Sequence, residues 1–299
     1  MATVTADHPA VPESPSERRT VSARIVGALG KAPVHLILIF VGLLWLVPTF
    51  GLFITSLMDP TDFAKEGWWN FLMRPGDLTF DNYQAVFDNQ TIRDSLVTTV
   101  LVAVGGTALP VFVGALAGYA FAWLEFPGRD WIFIIVVALL VVPLQMALIP
   151  MFQLYNDLNL FDSVLGLILF HTAFGLPFAI FLLRNFFIGI PRDLMEAARI
   201  DGAGELKIFL RLILPLGRPA IASLAIFQFL WTWNDLLVAL TFGRDTVPIT
   251  VAIYSQMRQF SGNIELIAPA TFISLIIPLL VFFAFQRSFV QGLLAGSVK

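Results

Sequence analysis

The sequence predicts an all-α protein that crosses a membrane six times. Two observations carry that expectation. Of its 299 residues, 58% are hydrophobic and only 13% are charged, about half the charged share that a soluble surface needs. The apolar residues also gather into six stretches of roughly the 20 residues that cross a hydrocarbon core. Lipid offers the backbone no hydrogen-bond partner, so these stretches must be helices, and the short alternating strands of a barrel are absent. A net charge of -3 and the lack of a basic run leave no footprint for nucleic acid. With no cysteine there is no disulfide, thiolate metal site or cysteine nucleophile.

Residues 1–34 are polar, with Pro9, Pro12 and Pro15 followed by Arg18, Arg19 and Arg24. They read as a flexible cytoplasmic tail, too long and too acidic at the start for a signal peptide. The spans are expected at 35–57, 95–123, 131–155, 164–187, 219–242 and 267–285, and 289–299 forms a second tail. Pro48, Pro110, Pro143, Pro150, Pro177 and Pro278 fall in or near these spans, where neighbouring helices re-satisfy freed carbonyls. Gly105, Gly106, Gly114 and Gly118 line the second span. Close helix packing is preferred there over a ligand contact.

Orientation follows from the loop cations. Arg129, Arg192, Arg199, Lys207, Arg211, Arg218 and Arg287 join the N-terminal arginines on one side; Lys65, Arg74, Arg93, Arg244 and Arg258 lie on the other. The first side is cytoplasmic, with both termini inside. The outer loop 59–94 is acidic, and its Trp68 and Trp69 suit an aromatic belt at the membrane surface.

The connection 189–218 is the most informative stretch. Pro191 suits a first helical turn, with Asp193 and Glu196 towards the positive end of the dipole. Leu194, Ala197 and Ala198 are expected on one face. Gly202 and Gly204 permit a tight turn. Leu206, Phe209, Leu210 and Ile213 then give a second amphipathic helix, closed by Pro215 and Pro219 before the fifth span. Taken alone, such a helix–turn–helix is equally an ordinary connector.

The run Glu196-Ala197-Ala198, then Gly202, then Leu214-Pro215 resembles the EAA loop of ABC importer permeases. The stretch Ala117–Leu124 with Gly128-Arg129, the triplet Trp233-Asn234-Asp235 and the C-terminal run from Gln286 are similar to carbohydrate-uptake permeases. The likeness is to the six-span subunit of the maltose-transporter type, a binding-protein-dependent inner membrane component, and to its α-glucoside branch. It covers nearly the whole chain. The resemblance implies a permease domain over 35–288 with a cytoplasmic coupling helix. It implies a bacterial inner-membrane complex with a second permease, two ATPase subunits and an extracellular sugar-binding protein. The substrate would be an oligosaccharide or α-glucoside. Glu196, Ala197, Ala198, Asp201 and Gly202 would dock on the ATPase.

ATP and Mg would be used by the partners, and this chain is expected to bind no cofactor and to catalyse nothing. Gly27–Ala32 lacks the spacing and the hydroxyl of a phosphate loop. His8, His35 and His171 lack metal-ligand spacing; His171 is expected to make an interhelical hydrogen bond. On the fifth span, Gln228, Trp231 and Asp235 fall at i, i+3 and i+7 beside Asn234. A shared polar and aromatic face of this kind suits a sugar path. Bonds from Asn234 and Asp235 to neighbouring helices account for the same residues. A secondary transporter or channel is the rival class, but it normally carries more ionisable groups within its spans.

Overall fold

The computed structural model describes residues 21–259 and 263–295. Among them the chain is helical throughout, apart from turns and one isolated bridge between Met58 and Leu78. Two compact units are distinguished, 1–51 and 52–299.

In the first unit, α1 (Val21–Leu57) already begins at Val21 and runs through Pro33 and Pro48. Part of the expected tail 1–34 is therefore helix, and residues 1–20 lie outside the described residues. The apolar side chains of Leu36–Val47 are exposed, Trp45 by 78%, as lipid-facing surface is.

The second unit begins in the last turns of α1. Asn82 donates to the carbonyls of Ser56 and Met58 at 3.1 and 2.8 Å, and the Ser56 and Tyr83 hydroxyls meet at 2.7 Å. These bonds tie α3 (Asp81–Asp88) to the end of α1, while Asp59 caps α2 (Pro60–Glu66) through Thr61 N–H. Trp69, Leu72 and Met73 stand exposed between them.

Helix α4 (Gln90–Trp123) starts before the expected Ser95 because Asn89 accepts from Ile92 N–H and caps it. It lies along α7 (Val164–Ile188). A Cβ at Gly114 would fall 2.6 Å from that of Ala179, and one at Gly118 would fall 3.1 Å from the backbone of Arg184. The glycines thus serve close packing, where dispersion and not water drives association.

The third span was expected as one helix over 131–155. It is instead α5 (Arg129–Ala138), a 3-10 turn at Leu139–Val141, and α6 (Leu144–Asp157), bent by 102°. Pro143 lacks the N–H that would continue the ladder, and it forces Val142 into an extended conformation with φ -70° and ψ 116°. Among the described residues, five other helices are long and apolar enough to cross a membrane, and this bent pair makes six if it counts as one span.

The expected fifth span, 219–242, also differs. The helix runs unbroken from α9 (Glu205–Ile208) through a π turn at Phe209–Ile213 into α10 (Leu214–Trp233). Pro215 and Pro219 do not close it. Pro215 directly follows the wider turn, in which Leu214 N–H bonds the Phe209 carbonyl, and that widening gives the proline ring room inside a continuous helix. The break falls later, at Asn234–Leu236, before the short α11 (Leu237–Phe242). Helices α12 (Ile249–Gln259) and α13 (Ile264–Ala295) complete the order, and α13 packs on α10.

Where α6–α7 meets α11–α12, Asp162 adopts a left-handed φ of 54°. Its Oδ1 accepts the N–H groups of Arg244, Asp245 and Thr246 at 2.7, 2.9 and 2.8 Å. Partial burial pushes the carboxyl up, but these bonds outweigh it and hold it below the usual range.

Candidate functional site

Two regions concentrate the residues singled out by sequence. The first is the loop after α7. Helix α8 (Arg192–Ile200) is anchored by Met195, which is 1% exposed and packs among Leu183, Phe187, Phe209 and Ile213. The expected face of Leu194, Ala197 and Ala198 therefore divides. Ala198 turns towards this core, while Leu194 and Ala197 are exposed with Glu196 and Ile200, the last by 85%.

The turn after α8 is a Schellman cap. Gly202 has φ +73°, its N–H donates to the Arg199 carbonyl, and the Ala203 N–H reaches back to the Ala198 carbonyl, both at 3.0 Å. Asp201 is the exposed C-cap. Beyond the turn, Glu205 accepts from Arg199 Nε at 3.1 Å and from the Tyr119 hydroxyl of α4. This network fixes the loop against the bundle. It has no sequence signal, since Tyr119 lies far away along the chain and the Gly202 turn erases helical spacing between Arg199 and Glu205.

The second loop helix also buries a different set. Phe209 and Ile213 are buried as expected, but Ile208 joins them, and Leu206 and Leu210 are 68% and 52% exposed. The π turn adds a residue to one turn and rotates the inward face.

The second region is the break in the fifth span. Gln228, Trp231 and Asp235 do not form one face, because the helix ends at Trp233. Gln228 is 3% exposed and its amide donates to the carbonyls of Gly106 and His171 at 3.1 and 3.3 Å. It holds α10 to α4 and α7. Gly175 leaves room for it, since a Cβ there would fall 2.6 Å from Gln228 Oε1. Trp231 is 45% exposed, and exposed Asn234 donates back to the Leu230 carbonyl of its own helix at 2.8 Å. Asp235 turns inward. Its carboxylate caps α11 by accepting from Val238 and Ala239 N–H at 3.2 and 3.0 Å, and His171 Nε2 lies 3.7 Å from Oδ2. The carboxylate thus satisfies the first free N–H groups of α11. Among the described residues, no three of His, Cys, Asp and Glu come together as a metal site.

Comparison with known proteins bears on both regions. The family described as "Binding-protein-dependent transport system inner membrane component" matches residues 110–294, which include the α8 loop and the span break. The osmoprotective compounds uptake permease protein GgtD of Synechocystis is 46% identical over 275 residues, covering 90% of this chain and 92% of that one. The alpha-glucoside transport system permease protein AglG of Rhizobium meliloti is 50% identical over 233 residues, 75% of this chain, which spans only 61% of that relative's length. Among solved structures, a bacterial ABC transporter involved in the import of the acidic polysaccharide alginate matches at a TM-score of 0.72 and 22% identity. That match covers 90% of this chain and 98% of the other and shows the same fold.

Proposed function

Because the chain belongs to the binding-protein-dependent transport inner membrane components, we propose that it is the permease subunit of an ATP-driven importer of an oligosaccharide or α-glucoside. It works with a second permease, two ATPase subunits that use ATP and Mg, and an extracellular sugar-binding protein. The observation that carries the reading is the α8–Gly202–α9 unit. Met195 and the Glu205 network fix it to the bundle while Glu196, Ala197 and Ile200 face outward. A rigid helix with an exposed apolar and acidic face is what a partner ATPase needs if its own movement is to reach the spans. The relative named for alpha-glucoside transport supports the α-glucoside reading of the substrate. Exposed Trp231 and Asn234 are the fifth-span residues free to meet it, since Gln228 and Asp235 are taken up by helix contacts.

Proteoliposomes holding the complete complex test the energy source. Uptake is expected to follow ATP and to survive collapse of the proton gradient when ATP is clamped. In the same vesicles Trp231→Ala should weaken sugar affinity more than complex assembly. Uptake without ATP, driven by an imposed pH gradient, would refute the importer mechanism.

Orientation is part of the proposal, with the α8 loop and both termini cytoplasmic. The absence of cysteine allows a direct check. Cysteine replacing exposed Gly76 should react with an impermeant thiol reagent in intact cells. Cysteine replacing Ser297, outside the described residues, should react only after permeabilisation. Labelling at position 297 from outside overturns this orientation.

A further inference from the structure

The polar atoms at the span break do not balance. His171 Nε2 and Asp235 Oδ2 are 3.7 Å apart, beyond direct hydrogen-bond reach. Thr232 Oγ1 is buried with no partner, in a residue only 4% exposed. Thr99, His171, Thr232, Asp235 and Pro248 line one small cavity. Other polar groups around it are already used. Thr99 Oγ1 donates to the Ser95 carbonyl and accepts from Ile249 N–H, both at 2.7 Å. The Gln228 amide is occupied by Gly106 and His171, and the Asp235 carbonyl accepts from the Thr250 hydroxyl at 2.5 Å. Three residues that line the cavity thus keep unused hydrogen-bonding capacity: Thr232 through its hydroxyl, His171 through its ring and Asp235 through a second lone pair of Oδ2.

A buried hydroxyl left unbonded loses its hydration with nothing to replace it. At 3.7 Å the His171–Asp235 contact is too long for a direct hydrogen bond, and a water beside both groups would close it. A buried water takes two to four polar partners, and three such residues line this cavity. We propose that His171, Thr232 and Asp235 hold one ordered water, and that this bridged joint positions α11 against α7. The water donates to Asp235 Oδ2 and accepts from the Thr232 hydroxyl and from the N–H of His171 Nε2. Asp235 in turn holds the first N–H groups of α11. Val238 and Phe242 already bury α11 among Tyr155, Leu167 and Phe170, and the bridge adds a tie between its first turn and α7. The inference goes beyond the transport reading and does not depend on it.

The sign of one substitution separates a wet joint from a dry one. Val has the shape of Thr without the hydroxyl. If the water is present, Thr232→Val strands it and lowers the thermal midpoint of the assembled complex by a few degrees, while Thr232→Ser keeps it. The effects of Thr232→Val and His171→Leu should then be less than additive, because both remove the same bridge. If the cavity is dry, Thr232→Val removes an unbonded hydroxyl, and the midpoint stays or rises; that result overturns the proposal. A spin label at Leu240→Cys on α11 reads positioning directly, as Leu240 is exposed. It should become more mobile in Thr232→Val and His171→Leu, while a label at exposed Leu216→Cys on α10 should not change. Equal loosening at both sites, or none at Leu240, would sink the positioning role. Should Thr232→Val fail to assemble, an electron-density map of the wild-type complex at water resolution decides, and a cavity without density is fatal.

Discussion

Gly202→Val is expected to leave the permease in the membrane in normal amounts and to cut binding-protein-stimulated ATPase activity and sugar uptake about tenfold. Insertion depends on the spans and on Met195, which the change does not touch. Coupling depends on the direction in which α8 points, and that is set by the Schellman turn. Gly202 has φ +73°, and a Cβ there would meet nothing within 4 Å. Crowding inside the chain is therefore not the cause, and the cost is backbone strain alone. A left-handed conformation costs an L-residue about 1–2 kcal/mol, most for a β-branched one, and 1.4 kcal/mol is a factor of about ten in population. The substitutions should rank by tolerance of that conformation, with Gly202→Asn nearest wild type, Gly202→Ala intermediate and Gly202→Val lowest. Glu196→Lys reverses a charge on the outward face of α8 and should weaken docking without disturbing the turn. The decisive readout is the stimulated ATPase rate of the reconstituted complex beside its uptake rate. Full coupling in both Gly202→Val and Glu196→Lys would remove α8 as the docking helix.

Gly114→Ala is expected to lower the yield and thermal stability of the complex sharply, although it adds one methyl group. The new Cβ would fall 2.6 Å from Ala179 Cβ, with the Ala179 backbone directly behind it. Neither atom can rotate away, so α4 and α7 must separate, and the pair loses contact along its length. Overpacking of a well-fitted interior costs about 1–3 kcal/mol. Gly105→Ala is the control. Its Cβ would approach Ile168 Cδ1 at 2.4 Å, but that is the end of a side chain with other rotamers, and the loss should be small. Thermal midpoints of the two variants in the assembled complex check the contrast. Equal effects would show that the glycines are not the contact that sets the α4–α7 distance.

Much of the fold was legible in the sequence because lipid allows few solutions. Long apolar runs must be helices, so their number and approximate places follow from composition alone. Gly202 was legible for a similar reason, since a glycine after an amphipathic run marks the end of a helix whatever packs around it. The face of α8 was less so. Leu194, Ala197 and Ala198 have the right spacing for a common surface, but Met195 is the α8 residue buried in the cluster that holds Leu183, Phe187, Phe209 and Ile213, and its burial turns the helix.

By itself the sequence determined the all-α class, the apolar spans, the Gly202 turn and the motifs by which the family is known. Each depends on the solvent or on a few neighbouring residues. Only the tertiary structure decided where the helices stop. Pro143 breaks the third span, whereas the fifth runs on through Pro215 and Pro219: a π turn directly before Pro215 gives its ring room, and the packed helix carries the bond missing at Pro219. It also decided what the polar residues of the fifth span do. Gln228 bonds two neighbouring helices and Asp235 caps α11 beside His171. Those roles rest on partners 57 to 122 residues away for Gln228. No local period encodes such distances. In a membrane interior, a polar side chain takes whichever partner the packed helices bring within reach, because water is not there to satisfy it.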